Sequence, residues 1–559
     1  MEKIWIKNYP KSVPAEVDAD NYRSVVDVFL KSCEKYSERP AFSNFGKDIT
    51  FKELERLSGY FAAYLQKNLG LKKGDRIAIQ MPNLLQYPIA LFGALRAGLV
   101  VVNTNPLYTA REMEHQFKDS GAKALIVLKN FADKVEAVFD RCPDLEHVIV
   151  TEVGDLLGFP KRMLVNSVTK YVKKMVPKYH LEDEISFTRV LLQGAFLGLD
   201  SPKIDSEDLA FLQYTGGTTG VAKGAMLTHR NMVANMEQIS CWMAPLLREI
   251  EEVVITPLPL YHIFSLTVNC MSFIKIGGRN VLITNPRDMK GFVKTLAKEP
   301  FTVLTGVNTL YNGLLNTPEF HDLDFSTLKT AVGGGMAVQK AVAEKWKEVT
   351  SVPLIEGFGL TETAPVLCCN PLDGNERIGT IGMPVSSTDV SIRDEEGNEV
   401  KPGESGEICA RGPQVMKGYW QRPEETKKVF WGDEWFRTGD VAVMQDDGYF
   451  KIVDRMKDMI LVSGFNVYPN EVEDVVAEHP GVLEVAAVGV PDEKSGEAVK
   501  IFVVPKNTTL TVPKLKDYCR ENLTGYKCPK FIEFREELPK TNVGKILRRA
   551  LREEGQAQA

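Results

Sequence analysis

The sequence of 559 residues lacks the marks of several common protein classes. Its nine cysteines include no C-x-x-C pair, which argues against a zinc site and a disulfide framework and favours a reducing cytosol. The first seven residues carry charges where a secretory signal would need an apolar core. The longest apolar stretch, near residues 87–103, is broken by Arg96 and Gly98 and is too short to span a bilayer. We therefore expect a cytoplasmic protein that contacts a membrane only peripherally, on the inner face, if at all.

A strongly basic composition is also absent. The formal net charge of −6 argues against general nucleic-acid binding, which favours a basic surface. A content of 44% hydrophobic and 25% charged residues is ordinary for a soluble globular protein. Because 559 residues exceed what one compact core holds, we expect two or more domains.

Two familiar phosphate-binding patterns are missing. Gly544-Lys545 is followed by Ile546 and lacks the upstream glycine of a Walker loop, and no G-x-G-x-x-G follows a predicted strand. The chain has instead the stretch Tyr214–Gly224, which combines glycines, hydroxyls and one lysine. Glycines let the backbone approach an anion closely, and successive N–H groups can form a nest for phosphate oxygens.

Short apolar runs flank this stretch, at Leu209–Tyr214 and Ala225–Thr228, so we predict a loop between two strands of a hairpin. Threonine hydroxyls would add donors or a magnesium contact, and Lys223 would add a point charge. Standing alone, such a loop would be interpreted as a flexible turn. The neighbouring motifs favour the phosphate-binding interpretation.

The first third of the chain alternates helix and strand signals. Capping boxes are predicted at Thr50-x-x-Glu53 and Thr109-x-x-Glu112, and Ser24 is expected to cap a helix. Such alternation favours a layered α/β architecture. Strands are predicted at Arg76–Met81, Leu99–Val102, Lys123–Leu128, Val253–Thr256, Leu328–Gly333 and Pro353–Gly357.

The pattern changes towards the C-terminus. Residues 389–443 are rich in hairpin signals, and the charged run Lys451–Asp458 follows them. The last hundred or so residues have a compact α/β pattern that is long enough for a small domain. Within it, Asn470 is predicted to cap one helix and Pro513 to start another.

The segment Leu156–Leu181 has six basic residues and no acidic one. Leu164, Val168, Tyr171, Val172 and Met175 recur at helical spacing. We favour a surface helix packed on its domain through this apolar stripe. The alternative is a basic amphipathic helix that lies on an anionic membrane surface.

Six motifs in order give the chain a resemblance that runs nearly end to end. It resembles the adenylate-forming superfamily of acyl-CoA synthetases, luciferases and peptide-synthetase adenylation domains. Three stretches, Gly432–Asp440, Ile452–Pro469 and Pro539–Arg549, look most similar to bacterial long-chain fatty-acid–CoA ligases. The six motifs are Thr215–Gly224, Pro259–Phe264, Gly357–Thr363, Trp435–Asp440, Asp454–Asp458 and Pro539–Lys545.

The resemblance implies an α/β fold in two parts. Residues 1–454 would form a large domain of several subdomains, including a distorted β-barrel portion, that binds ATP and the acyl group. Residues 455–559 would form a small mobile α+β domain, with a hinge near Asp454 and Lys457. It also implies two reactions. A fatty-acid carboxylate attacks the α-phosphorus of ATP to give an acyl-adenylate and pyrophosphate, and coenzyme A then displaces AMP.

The resemblance assigns roles to individual residues. Lys545, Glu362 and His262 would be catalytic, and Glu362 with Thr215 and Thr218 would hold Mg²⁺. Taken alone, Glu362 would be interpreted as a helix-terminal carboxylate, Asp440 as a turn residue and Lys545 as a solvated lysine, but the motifs in order favour the functional roles. The nucleotide-binding set would be Tyr214, Thr215, Gly216, Gly217, Thr218, Thr219, Gly220, Val221, Ala222, Lys223, Gly224, Gly335, Gly357, Phe358 (in place of the family's more usual tyrosine), Gly359, Thr361, Asp440 and Arg455. The acyl and CoA passage would include Phe264, Leu266, Gly333, Gly334, Gly464 and Phe465.

Other interpretations remain at this point. A medium-chain or aryl-CoA ligase would share every nucleotide motif. A non-catalytic fatty-acid uptake protein on the membrane is an alternative from a different class, although the presence of both Glu362 and Lys545 speaks against it. The expected partners are a fatty acid, ATP and CoA, with an anionic membrane surface as a further one and a homodimer as one option.

Overall fold

The computed structural model describes residues 2–215, 222–432, 434–492, 494–541 and 543–557. Short strands make up much of these ranges. In chain order they are β1 Pro40–Asn44, β2 Lys47–Thr50, β3 Arg76–Gln80, β4 Val100–Asn103, β5 Ala122–Leu128, β6 His147–Thr151, β7 Ile185–Ser186, β8 Leu209–Thr215, β9 Lys223–Thr228, β10 Val253–Thr256, β11 Arg279–Leu282, β12 Val303–Gly306, β13 Thr330–Gly333, β14 Leu354–Gly359, β15 Val366–Cys369, β16 Met383–Pro384, β17 Asp389–Arg393, β18 Ser405–Arg411, β19 Phe430–Trp431, β20 Trp435–Met444, β21 Phe450–Arg455, β22 Ile460–Val462, β23 Phe465–Val467, β24 Val482–Asp492, β25 Gly496–Pro505 and β26 Phe531–Phe534.

Helices connect and cover these strands. In chain order they are α1 Val25–Lys35, α2 Phe51–Lys67, α3 Gln86–Arg96, α4 Ala110–Ser120, α5 Ala132–Phe139, α6 Lys161–Ser167, α7 Phe187–Gly194, α8 His229–Met243, α9 Ser272–Lys275, α10 Met289–Leu296, α11 Asn308–Leu315, α12 Lys340–Thr350, α13 Pro423–Lys428, α14 Pro469–Ala477, α15 Val512–Asn522 and α16 Arg548–Ala557. Short 3-10 or π turns occur at Ile4–Asn8, Lys129–Phe131, Val168–Val172, Ser265–Met271, Pro318–Phe320, Thr361–Thr363, Met456–Asp458 and Gly525–Lys527.

Two large sheets carry the N-terminal domain. One has the order β7-β6-β5-β3-β4-β8-β9 and is parallel except for the terminal β8–β9 hairpin. The other has the order β16-β15-β14-β13-β12-β10-β11-β1-β2 and is parallel from β14 to β1. Because β13 and β14 are parallel neighbours, Gly333–Gly335 and Gly357–Thr363 emerge side by side at their carboxyl ends. Ligands of α/β proteins usually bind at that edge.

Strands β17–β21 form an antiparallel sheet with the order β17-β18-β20-β19 and with β21 on β20. Their inward side chains share one apolar core with β15 and β16. A bridge between Gly382 and Phe450 joins this sheet to its neighbour. This is the part of the large domain for which a distorted barrel was expected.

The C-terminal part has a sheet of its own, with the order β23-β22-β25-β24 and β26 paired with β25. Helices α14, α15 and α16 cover it, and its apolar side chains form two cores that consist only of residues after position 459. An independent core is the basis of a separate small domain. The α/β fold with a large N-terminal and a small C-terminal domain is therefore confirmed.

Most local predictions are confirmed. Both capping boxes form, Ser24 caps α1, and Pro513 lies in the first turn of α15. The prediction for Asn470 is wrong, because α14 begins at Pro469 after Tyr468, and Asn470 lies inside the first turn.

The preferred interpretation of Leu156–Leu181 is also wrong. The segment forms α6 followed by the π turn Val168–Val172, but its apolar stripe is not packed on the domain. Leu164 is 65% exposed and Val172 is 72% exposed. Periodicity predicted the helix correctly, but the apolar face has no covering element among the described residues.

Within the described ranges, no helix is both long and apolar enough to cross a bilayer.

A close helix contact gives a test of the fold. A Cβ added at Gly194, at the end of α7, would lie 2.0 Å from the carbonyl oxygen of Tyr60 in α2. We expect Gly194→Ala to push these helices apart and to lower the melting temperature, with a cost of about 1–3 kcal/mol. Gly198→Ala is the matched control, because nothing lies within 4 Å of its added Cβ. Equal melting temperatures for the two variants would contradict the α2–α7 packing.

Candidate active site

The glycine-rich stretch joins β8 to β9, with Thr215 opposite Lys223 in the antiparallel register. The predicted hairpin is therefore confirmed. The loop residues themselves, Gly216, Gly217, Thr218, Thr219, Gly220 and Val221, lie outside the described residues.

Both stems of this loop are held by helix α4. Asp119 accepts a hydrogen bond from the Tyr214 hydroxyl at 2.7 Å, and His115 Nε2 lies 2.9 Å from the carbonyl oxygen of Ala222. On the other side, Trp420 N donates to the carbonyl of Gly224 at 2.8 Å. These contacts place the two ends of the loop independently of what the loop binds.

Lys223 points towards two residues that sequence reasoning missed. Its Nζ lies 2.5 Å from Glu425 Oε2 and 5.1 Å from the centre of the Tyr419 ring. The Tyr419 hydroxyl in turn donates to Glu362 Oε1 at 2.8 Å. Lys223 and Glu362, which are far apart in the sequence, therefore meet around Tyr419.

Glu362 lies in the turn Thr361–Thr363 that follows β14, and it is buried. Burial raises the pKa of its carboxyl group, and the hydrogen bond from Tyr419 and the charges of Arg455 and Lys223 lower it. A buried carboxyl group within reach of the charges of Arg455 and Lys223 is suited to a site that also receives a cation and phosphates.

Asp440 and Arg455 face each other on β20 and β21. Arg455 Nε lies 3.2 Å from Asp440 Oδ1. Burial raises the pKa of Asp440 to about 6, against the lowering effect of the Arg455 charge. Asp440 is therefore mostly ionised at neutral pH and presents an acceptor in a largely dry environment.

Lys545 reaches this cleft from the small domain. A Cβ on Gly335 would lie 3.0 Å from Lys545 Cε and 3.3 Å from Nζ, so the lysine side chain leaves little space for a larger residue. Gly335 also has a φ of +78°, a backbone conformation that favours glycine. The loop before α16 is held by the Thr309 hydroxyl, which donates to the carbonyl of Gly544 at 2.7 Å. Burial and the charge of Arg455 lower the pKa of Lys545 to about 8, while Asp440 raises it.

His262 is close enough to Lys545 for the ammonium charge to act on it. Burial, with the Lys545 charge in second place, lowers the pKa of His262 to about 3, so the imidazole is neutral. Its Nδ1 accepts a hydrogen bond from the backbone N–H of Phe264 at 3.3 Å, which leaves the proton on Nε2. The ring of Phe264 approaches Gly334, whose added Cβ would lie 3.1 Å from Phe264 Cε1. Leu266 is fully buried one turn further on.

Strand β14 carries three further residues that were predicted to bind the nucleotide, Gly357, Phe358 and Gly359. Gly357 pairs with Cys369 and Phe358 with Cys368 across the antiparallel β14–β15 register, and Gly359 pairs with Val366. Phe358 is partly exposed and packs against the core of the antiparallel sheet. Burial raises the pKa of the Cys369 thiol to about 12.

Two residues predicted in the acyl and CoA passage lie on the small domain. Gly464 and Phe465 occur at the β22–β23 turn of the small domain, where Phe465 is 56% exposed and stacks on Tyr526 with ring centroids 4.8 Å apart. Gly464 is exposed as well, and nothing lies within 4 Å of a Cβ added to it. Gly333 and Gly334, by contrast, lie at the end of β13 beside Phe264.

The two residues predicted as the hinge lie at the end of β21 and in the turn that follows it. Asp454 is buried at the end of β21, and Lys457 lies in the turn Met456–Asp458 with its pKa lowered by burial.

The comparisons with known proteins agree with this geometry. The family described as "AMP-binding enzyme" matches residues 29–420, and "AMP-binding enzyme C-terminal domain" matches residues 471–545. The first match alone covers more than half of the chain, so the chain belongs to the AMP-binding enzyme family. The resemblance found in the sequence is confirmed.

Individual relatives are similar over their full length. A long-chain-fatty-acid–CoA ligase of Escherichia coli O157:H7 is 59% identical over 558 residues, which cover 100% of this chain and 99% of the relative. One from Bacillus subtilis (strain 168) is 40% identical over 562 residues, which cover 99% and 98%. Among solved structures, the anthranilate CoA ligase AuaEII in complex with anthranoyl-AMP has a TM-score of 0.86 at 26% identity, with coverage of 97% of this chain and 99% of that one. ATP-bound MatB from Rhodopseudomonas palustris has a TM-score of 0.80 at 28% identity, with coverage of 95% and 98%.

Proposed function

We propose that this protein is an AMP-forming ligase that activates a long-chain fatty acid with ATP and transfers the acyl group to coenzyme A. The observation that carries the proposal is the insertion of Lys545 from the small domain into a cleft that already holds Glu362, Asp440 and Lys223. Full-length relatives at 59% identity named as long-chain-fatty-acid–CoA ligases support this substrate over a medium-chain or aryl acid.

The first step brings two anions together. A carboxylate oxygen forms a bond to the α-phosphorus, and the bond to the pyrophosphate leaving group breaks. Repulsion between carboxylate and phosphates opposes this step, so positioned cations lower the barrier. Lys545 would pair with the α-phosphate and the carboxylate, the β8–β9 loop and Lys223 would hold the outer phosphates, and Asp440 would accept from the ribose hydroxyls.

Glu362 fits a magnesium ion that is shared with the nucleotide. Mg²⁺ in nucleotide enzymes takes one or two carboxylates and completes its shell with phosphate oxygens and water. Within the described part of the chain, no cluster of three His, Cys, Asp or Glu residues forms a cage for a metal ion. Glu362, with the hydroxyl of Thr215 or Thr218, would hold the ion, which when bound neutralises phosphate charge.

The second step begins from the acyl-adenylate. The sulfur of coenzyme A forms a bond to the acyl carbon, and AMP leaves. We propose that the small domain, residues 455–559, rotates about Asp454–Lys457 between the steps. The rotation would withdraw Lys545 and turn Gly464 and Phe465 to the cleft, where His262 and Phe264 would line the passage. The exposure of Phe465 in the present arrangement is consistent with that second position.

The test of this proposal separates the two half-reactions. Lys545→Ala should lower fatty-acid-dependent ATP–pyrophosphate exchange by at least about 10²–10³-fold, because a positioned charge donor is lost. The same preparation, given synthetic acyl-adenylate and CoA, should form thioester at a near-normal rate. Lys540→Ala is the matched control, because this lysine in the same loop pairs with Glu484 at 2.7 Å inside the small domain. Equal loss of both half-reactions would contradict the role of Lys545.

The pH dependence of adenylation should follow two groups. The charged form of Lys545 is lost as pH rises through about 8, and the ionised form of Asp440 is lost as pH falls through about 6. We expect kcat/KM for pyrophosphate exchange, an assay that contains no thiol, to fall on both sides of this window. Lys545→Arg should be slower but should lack the alkaline limb, since a guanidinium stays charged. An unchanged alkaline limb in this variant would assign that limb to another group.

We also propose that the segment 159–175, here called the basic apolar segment, binds an anionic membrane surface. Phe159 is 85% exposed, and Met163, Leu164, Tyr171 and Val172 are each more than 60% exposed. Six basic residues between positions 156 and 181, with no acidic one, lie among and beside these side chains. A helix that lies in a membrane interface buries apolar side chains at the boundary between lipid headgroups and acyl chains. Its basic side chains stay at the level of the anionic headgroups.

Vesicle binding tests this surface. We expect a triple variant with Lys170, Lys173 and Lys174 changed to Glu to bind anionic vesicles at least tenfold more weakly. Each basic residue near such a surface contributes about 1 kcal/mol. Binding to neutral phosphatidylcholine vesicles should change far less. The matched control changes the exposed residues Lys290, Lys294 and Lys298 to Glu, which gives the same net charge at another place. Equal weakening by both triple variants would mean a general charge effect and would contradict a local surface.

A further inference from the structure

The junction between the domains contains a buried charge pair outside the nucleotide cleft. Asp454 belongs structurally to the large domain, because β21 pairs with β20 up to the residues Asp454 and Arg455. The chain then passes through the turn Met456–Asp458 into the small domain. Arg548, at the start of α16, belongs to the small domain, and its Nη1 lies 3.2 Å from Asp454 Oδ1.

The carboxylate of Asp454 is fully enclosed, with no side-chain exposure. Besides Arg548, it accepts a hydrogen bond from the backbone N–H of Asn470 at 2.8 Å and one from its own neighbour, Arg455, at 2.7 Å. Asn470 lies in the first turn of α14, where N–H groups have no partner within the helix. A carboxylate of the large domain thus caps a helix of the small one.

Arg548 is held on the other side by its own domain. It donates to Glu473 at 3.0 Å through Nε and at 2.6 Å through Nη2, and it also donates to the side chain of Asn470. These partners would move together with Arg548 in any rotation of the small domain, whereas Asp454 would stay with β20 and β21. A rotation of the small domain that leaves β20 and β21 in place would therefore break the contacts of Asp454 with Arg548 and Asn470.

This arrangement is the one in which Lys545 occupies the cleft. Arg548 follows Lys545 by three residues, so its anchoring also fixes the start of α16 and the loop that carries the lysine. A buried ion pair that loses one partner leaves an uncompensated charge, which strongly disfavours the separated state unless water or another partner replaces it. Neither residue contacts the cleft residue Gly335 that receives Lys545.

We infer that Asp454 and Arg548 are positioning residues that hold the small domain in the adenylating arrangement and so set the balance between the two half-reactions. The inference rests on the proposed function. It differs from a hinge role for Asp454, because it assigns the effect to the side-chain carboxylate and its partners rather than to backbone rotation.

The test uses Asp454→Asn, which keeps the shape of the side chain and one of its two acceptor oxygens but removes the charge. Arg548→Gln removes the charge from the other side. For both variants we expect pyrophosphate exchange to fall at least about fivefold to tenfold relative to thioester formation from synthetic acyl-adenylate, within the usual range of coupling between two states. The connector at 456–458 should also be cleaved faster by a protease in the presence of MgATP.

Arg549→Gln is the matched control, because Arg549 lies next to Arg548 but pairs only along the surface of α16, with Glu553 at 2.7 Å. It should leave the ratio of the half-reactions unchanged. Three outcomes would make the pair merely structural and would overturn the inference. They are an unchanged ratio of the half-reactions in Asp454→Asn and Arg548→Gln, equal loss of both half-reactions, and failure of both variants to fold. Absence of fatty-acid-dependent exchange in the wild type and in Arg549→Gln would instead refute the proposed function.

Discussion

The structure depends on placing an ammonium group from one domain inside a cleft of another. Lys545 loses water there, which lowers its pKa to about 8, and Asp440 only partly restores the stability of the charged form. The large domain makes room with Gly335, and Thr309 holds the loop that delivers the lysine. A cation in this position is less stable than in water, so an anion that enters the cleft would stabilise it.

The buried acids follow the same logic. Burial raises the pKa of Glu362 and Asp440, while Lys223 and Arg455 oppose that effect at close range. Asp440, with a pKa of about 6, is therefore mostly an ionised acceptor at neutral pH although it has little water around it. Packed strands and helices hold these positive and negative side chains in fixed positions. Such groups need little rearrangement when charge develops during a reaction, and this is the basis of electrostatic catalysis.

Much of this organisation could be predicted from the sequence because it is local. Residues close together in the sequence determine the capping boxes and the β8–β9 hairpin. They also determine that β13 ends at Gly333 and that β14 ends shortly before Glu362. The contacts of Tyr419 with Glu362 and of Glu425 with Lys223 could not be predicted in this way, because they join positions 57 and 202 residues apart and have no periodic signal. Periodicity also defines which side chains share a face of α6, but not whether another element covers that face, which depends on tertiary packing.

The adenylate chemistry proposed for this cleft produces a mixed anhydride, which any nearby sulfur nucleophile can attack. Cys369 lies on β15 opposite Gly357, and its Sγ would lie 3.7 Å from a Cβ at that glycine. With a pKa of about 12, only about one in ten thousand such thiols is a thiolate at pH 8. Since the thiolate is the reactive form, a pKa this high disfavours attack by Cys369 on the anhydride. A protonated Cys369 would leave the activated acyl group to the thiol that arrives from solution.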